Sequence, residues 1–317
     1  MTKYFSLSSG RKPSGPPSAP SIPQATFCTR LGRPLLGIFR LTRLTLHLVS
    51  GLITVACVYP FISHSTQLAL KQRWSLYLLC MLGLQLKVGA GETAMNVEKV
   101  HEVPLKNTKN NPLQQSTAST YHSPLAPLYR GMLVANHISF LDVFVINAWL
   151  PTAFVAKNEI RHWPVLGWLS NKTDTIFLQR GSRRAAHAAS DEILQYLGEN
   201  RIVAFFPEGT TSTGDTVLPF HSALFQSAID AACPVTPVAL QYLDAISGQP
   251  SHAADFVGED SLLACLWSIV TSPKLIARLE PLAALNTAIE NTDKMDRRHL
   301  AAHAHRTIAH HLLSRAR

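Results

Sequence analysis

The stretch "NHISFLD", residues 136 to 142, sets a histidine and an aspartate five positions apart. A neutral imidazole can take the proton of a hydroxyl, and a carboxylate beside it can fix its tautomer and stabilise the imidazolium that forms. His137 and Asp142 are therefore a candidate general base and its orienting carboxylate. The same letters fit a second account. Ser139 followed three residues later by Asp142 has the pattern of a capping box, in which Asp142 does no more than open a helix. On an ideal helix an offset of five rotates the second side chain by about 140°, so the two would not share a face. A histidine in a loop and an aspartate in the first helical turn could still approach.

Two other segments carry reactive residue types. "FFPEGTTSTGD", residues 205 to 215, follows an apolar run, with Pro207 to stop a strand, Gly209 to free a turn and Glu208 between them. Successive backbone N–H groups through such a Gly/Thr/Ser turn make an anion nest; the alternative is an ordinary turn. "IFLQRGSRR", residues 176 to 184, places Arg180, Arg183 and Arg184 after another apolar run. Guanidinium groups can hold a phosphate bidentately there, Arg180 foremost because it comes first; otherwise they are a solvated helix start.

These residues need elements to position them. From residue 131 onward "GMLVAN", "TAFVAK", "DTIFLQR", "RIVAFFPEG" and "CPVTPVALQYL" are short, β-rich and bounded by Gly, Pro, Asn or charge. Helix-like stretches lie between them at 141–149, 162–170, 183–198 and 220–231. The alternation predicts an α/β domain on a mixed, largely parallel sheet flanked by helices. In such sheets reactive residues sit just past the carboxyl ends of strands, which is where His137 falls. Ahead of this region, residues 92–129 are polar and read as a strand near 95–103 followed by a long surface loop.

Residues 44 to 62, "LTLHLVSGLITVACVYPFI", are 19 residues without formal charge, close to the ~20 that span a hydrocarbon core. Arg30, Arg33, Arg40 and Arg43 precede them; Lys71, Arg73 and a second apolar run, "WSLYLLCMLGLQL" at 74–86, follow. A transmembrane span, a membrane-associated helical hairpin dipping into one leaflet and a buried helix pair all fit this pattern. The first 23 residues hold five prolines and many serines, too little apolar surface to order a chain, and they do not read as a secretory signal. The sequence thus divides into a disordered tail at 1–29, membrane-docking or spanning helices at 30–90 and the α/β domain at 91–317.

A net charge of +9 suits an anionic membrane surface or another polyanion. Dispersed basic residues without interleaved aromatics argue against nucleic acid. The five cysteines are scattered without a CxxC spacing, which speaks against a zinc knuckle or a disulfide framework and for small buried hydrophobes in a reducing compartment. "GAGETA", residues 89 to 94, mimics a dinucleotide fingerprint but follows a helix-like run instead of a strand. No GxSxG of a serine hydrolase occurs. His299 and His303, at i and i+4, could hold a metal; the competing reading is the polar face of a helix with Leu300, Ile308 and Leu312 turned to the core.

The ordered set "NHISFLD", "IFLQRG", "FPEGTTS" and "PVTPVAL" resembles the four blocks of the glycerolipid acyltransferases, the lysophosphatidic acid acyltransferase family, over about residues 130 to 243. "FVAKNEIRHWPVLGWL", residues 154 to 169, is similar to that family's stretch between its first two blocks, and "FVGEDSLLACLWSIV" is a weaker match in the tail. The resemblance implies transfer of a fatty acyl group from acyl-CoA or acyl carrier protein to the hydroxyl of a membrane lysolipid, foremost 1-acylglycerol-3-phosphate, with no metal or other cofactor. It implies a catalytic domain on the cytoplasmic side of the cell inner membrane. It further implies that His137 is the general base and Asp142 orients it, and that Arg180 holds the anionic headgroup. Glu208, Gly209 and Thr210 would shape the acceptor and transfer site, and Lys157 would support the thioester end. One departure bears on the acceptor: members acting on lysophosphatidic acid commonly carry Arg after "FPEGT", where this chain has Thr211. Lyso-ornithine lipid is therefore the alternative acceptor, and a non-catalytic lysolipid-binding membrane protein the alternative class.

Overall fold

The computed structural model describes residues 25–89, 95–96, 131–179, 183–258, 261–287 and 296–315. Among these, one sheet gathers β1 (Leu84–Val88), β2 (Met95–Asn96), β3 (Met132–Ala135), β4 (Ala153–Lys157), β5 (Thr175–Leu178), β6 (Val203–Phe205), β7 (Val235–Asp244) and β8 (Leu275–Pro281). Their spatial order is β2-β1-β8-β7-β3-β6-β4-β5. The run β7-β3-β6-β4-β5 is parallel throughout; β8 is antiparallel to β7 and parallel to β1. The sheet is mixed and largely parallel, as the alternation of runs predicts.

Continuous apolar runs mark strands covered on both faces, and β3 shows why. Leu133 and Ala135 join one core cluster with Leu78, Leu79, Val145, Leu240 and Ile269. Met132 and Val134 join another with Ile193, Phe225, Val235 and Leu300. The first layer is built by α2 (His64–Leu82), α3 (Asp142–Trp149) and α7 (Leu262–Thr271), the second by α5 (Arg183–Gly198), α6 (Phe225–Asp230) and α8 (Arg297–Arg315). On α8, Leu300, Ile308 and Leu312 are buried while His299 and His303 are exposed.

Several elements differ from the sequence reading. The helix expected at 162–170 breaks: a 3-10 turn covers Asn158–His162 and α4 begins at Leu166 (Leu166–Lys172). Pro164 bars the α conformation from Trp163, which is extended at φ −73°, ψ 130°. The helix expected at 220–231 shrinks to α6, because the N–H of His221 is drawn to the Pro207 carbonyl at 2.8 Å. The apolar run 74–86 is not one helical arm. Gly83, at φ +84°, caps α2, and Leu84–Val88 enters the sheet as β1 beside β8. "GAGETA" therefore does follow a strand, although the next described element, β2, returns antiparallel to β1. The sequence reading also lacked β8, whose charged Arg278 and Glu280 interrupt the apolar pattern. The sequence predicts that most cysteines are buried, yet among the described residues only Cys265 is; Cys57 and Cys80 are exposed on the amino-terminal helices. The tail before residue 25, most of the 92–129 segment and Arg180 lie outside the described residues.

At the amino end α1 (Ala25–Ile53) runs through a π turn, Thr54–Val58, and a 3-10 turn, Tyr59–Phe61, before α2 begins behind the Ser63 cap. The two helices are latched by His47, whose ring stacks on Trp74 at 4.7 Å, and by the indole N–H, which donates to the His47 carbonyl at 3.3 Å. They do not share one fate. α1 presents Leu35, Ile38, Phe39, Leu46, Val49 and Ile53 outward, whereas α2 buries Leu78, Leu79 and Leu82 in the core. Among the described residues the stretch Arg33–Phe61 is long and apolar enough to cross a membrane.

Candidate active site

β3 ends at Ala135, and the Asn136 side chain carries its pairing one step further. Its amide donates to the Leu240 carbonyl at 3.0 Å and its oxygen accepts the Leu240 N–H at 2.8 Å. The main chain is thereby free to turn away, and His137 begins a loop that leads into α3. Asp142 is the first residue of that helix, so the rotation that would separate two helical side chains does not apply. Its Oδ2 accepts from His137 Nδ1 at 2.8 Å and from the N–H groups of Ile138 at 2.7 Å and Ser139 at 3.0 Å. Its Oδ1 accepts the Tyr242 hydroxyl at 2.6 Å. The capping account also describes the geometry in part: Asp142 takes the Ser139 N–H, but the Ser139 hydroxyl is buried without a partner among the described residues.

Asp142 is wholly buried and receives four donors. With two backbone N–H groups and the Tyr242 hydroxyl all donating to it, the carboxylate is an acceptor towards His137 as well, which calls for the hydrogen on Nδ1; the neutral ring then keeps its lone pair on Nε2. Nε2 has no partner among the described residues, and the His137 side chain remains 19% exposed. The ring stacks on Phe206 with centroids 4.0 Å apart and planes 7° from parallel, which fixes its orientation.

Glu208 lies just past β6, the strand next to β3. Its Oε1 accepts the His137 N–H at 2.8 Å and its Oε2 accepts the Leu218 N–H at 3.1 Å. Burial pushes its carboxyl above the ordinary carboxylate range, against the pull of those two N–H groups and of His137. The side chain is 4% exposed. Expected to shape the acceptor and transfer site, it is turned inward and holds the loop that carries the imidazole. The Ser212 N–H donates to the His137 carbonyl at 2.8 Å, so both backbone groups of His137 are held by the "FPEGTTS" segment. Gly209, at φ +70°, gives its N–H to the Phe206 carbonyl at 3.1 Å. With the Ser212 N–H also engaged, the anion nest expected here is in good part closed by internal bonds. Thr210 is exposed on the same turn. Thr211 donates its hydroxyl to the Phe256 carbonyl, and Phe256 N–H donates to the Ile138 carbonyl at 3.1 Å. Lys157 closes β4 on the far side of β6 and is exposed.

The structure thus brings His137, Asp142 and Glu208 into one network and sets Gly209, Thr210 and Lys157 at the carboxyl ends of the neighbouring strands β6 and β4. Sequence reasoning missed Asn136, Phe206 and Tyr242. The available signal for Tyr242 was a polar-tipped aromatic in a largely buried strand, where its hydroxyl needs a partner. A cavity of about 130 Å³ lies behind the pair, lined by Ile138, Tyr242, His252 and Asp255 among others. It is smaller than the roughly 300–1,000 Å³ of ordinary ligand sites. Exposed apolar residues follow β4: Trp163, Val165, Leu166 and Trp168.

Fold and site together define an α/β protein with an accessible imidazole base backed by a buried carboxylate at the carboxyl ends of parallel strands. The chain belongs to the acyltransferase family. The family model described as Acyltransferase matches residues 120–241. Lyso-ornithine lipid O-acyltransferase of Pseudomonas aeruginosa is 34% identical over 186 residues, covering 58% of this chain and 68% of that protein. The 1-acyl-sn-glycerol-3-phosphate acyltransferase of Neisseria meningitidis is 42% identical over 168 residues, covering 52% of this chain and 64%, just under two thirds, of its own length. The crystal structure of the 1-acyl-sn-glycerophosphate acyltransferase from Thermotoga maritima shares the fold, with a TM-score of 0.57 at 18% identity over 91% of this chain and 98% of that one.

Proposed function

We propose that this protein transfers a fatty acyl group from an acyl thioester to the hydroxyl of a lysolipid, with His137 as general base. The observation that carries the reading is the 2.8 Å bond between His137 Nδ1 and a fully buried Asp142, which leaves Nε2 open. Nε2 takes the proton of the acceptor hydroxyl as its oxygen attacks the thioester carbonyl. The C–O bond forms, the C–S bond breaks, and the imidazolium returns the proton to the departing thiolate. Such general-base assistance contributes about 10²–10⁴ in rate. The donor is acyl-CoA or acyl carrier protein, and no metal or other cofactor takes part. Arg180 holds an anionic headgroup and Lys157 the thioester end. The apolar outer face of α1 rests in the cytoplasmic leaflet of the inner membrane, which spares the lysolipid a full passage through water.

1-Acylglycerol-3-phosphate is the first acceptor on this reading, supported by the 42% identical relative. Lyso-ornithine lipid is the second, supported by Thr211, whose hydroxyl is engaged with the Phe256 carbonyl where the family commonly sets a cation. Membranes carrying the protein, given labelled acyl thioester and each acceptor in turn, test both. His137→Ala should abolish transfer while membrane association persists. A variant that acylates at the wild-type rate would remove the base from the mechanism.

A further inference from the structure

Asp142 accepts four donors from very different places. Three converge on Oδ2: the imidazole and two N–H groups of the loop on which Asp142 itself sits. The fourth, the Tyr242 hydroxyl, is the only donor to Oδ1 among the described residues and comes from β7, one hundred residues away in the chain and beside β3 in the sheet. The final torsion of an aspartate side chain is broad, so donors on one oxygen leave the carboxylate plane loosely set. A short bond to the other oxygen sets it. Tyr242 is 4% exposed, and burial with the neighbouring Asp142 charge pushes its phenol well above the ordinary value, so it stays a donor across the working pH range.

We propose that Tyr242 is a positioning residue for proton transfer: its hydroxyl fixes the Asp142 carboxylate against His137 and draws negative charge away from the oxygen that faces the imidazole. The inference deepens the acyl-transfer reading and rests on it only for its kinetic consequence. Replacing Tyr242 by Phe returns that charge to Oδ2, which favours the imidazolium. The titration midpoint of His137 then moves upward. A strengthened donor at 242 moves it down. A tyrosine that only fills the core would do neither.

The test is a titration of the histidine ring resonances in full-length protein in detergent micelles, with the His137 signal assigned by its loss in His137→Asn. Wild type is compared with Tyr242→Phe, with 3-fluorotyrosine at 242 (a more acidic hydroxyl) and with Val238→Ala, a truncation of a buried residue on the same strand. The expected result is an upward shift in Tyr242→Phe, a downward shift with fluorotyrosine and none in Val238→Ala. The inference is overturned if the fluorinated and Phe proteins both titrate like wild type, or if Val238→Ala shifts His137 as far as Tyr242→Phe does. Should Tyr242→Phe fail to fold, the fluorotyrosine protein decides alone. The acid limb of kcat/KM for acyl transfer should follow the same shifts. A wild-type protein that transfers no acyl group would count against the reaction and leave the titration result standing.

Discussion

Asp142→Asn is the sharpest perturbation of the site because it changes charge with almost no change in shape. The amide has one oxygen to offer, and the surroundings decide where it goes. The position of Oδ2 faces two backbone N–H groups, at 2.7 and 3.0 Å, that cannot turn away. Among the described residues the position of Oδ1 faces only the Tyr242 hydroxyl, which can rotate its hydrogen and accept. The amide oxygen therefore takes the Oδ2 place, the NH₂ donates to Tyr242, and His137 keeps its tautomer. What is lost is the charge that stabilises the imidazolium in the transition state. Charge-assisted bonds are roughly twice as strong as neutral ones. A loss on the order of 3 kcal/mol at ~1.4 kcal/mol per decade lowers kcat/KM by about 10². The assay is initial-rate acyl transfer at saturating thioester over a range of lysolipid, alongside the unfolding midpoint. His137→Ala, which removes the base outright, should cost at least as much. A folded Asp142→Asn protein within threefold of wild type would refute the charge argument, and one more impaired than His137→Ala would refute the retained tautomer.

Gly214→Ala should both destabilise the protein and reach the site. At φ +79° a side chain is strained, and a Cβ there would lie 2.6 Å from Cδ1 at the end of the side chain of Ile138, the residue whose N–H holds Asp142; about 1–2 kcal/mol is lost in denaturant unfolding and activity falls. Unchanged activity in a destabilised variant would show that the loop does not set the pair. Lys71 gives a stability profile. Its ammonium donates to the carbonyls of Thr152 at 2.6 Å and Thr173 at 2.9 Å, and burial lowers its pKa from 10.5 to about 8. Between those values the native protein binds fewer protons than the unfolded chain, so stability is reduced below pH 8 and rises as pH climbs to 10.5, by roughly 3 kcal/mol. Urea midpoints across that window should show the slope in wild type and lose it in Lys71→Met. A flat wild-type profile would contradict the buried charge.

The sequence by itself determined the kind of sheet and the residues with reactive chemistry. Runs such as "MLVA", bounded by Gly and Asn, read as strands covered on both faces, and His137, Asp142 and Glu208 stood just beyond or beside such runs. Those inferences rest on local periodicity and on breakers such as Pro207, which act within a few residues and are therefore written in order along the chain. The inward turn of Glu208 and the donor from Tyr242 were decided only by the tertiary structure. Each depends on β3 lying between β6 and β7, strands that follow it by some seventy and one hundred residues. Likewise α1 and α2 are both apolar, and nothing local tells which packs against α3. The sheet and its flanking helix bury one and leave the other facing outward. Residue type and spacing name the participants; which oxygen meets which hydrogen is settled when distant strands become neighbours.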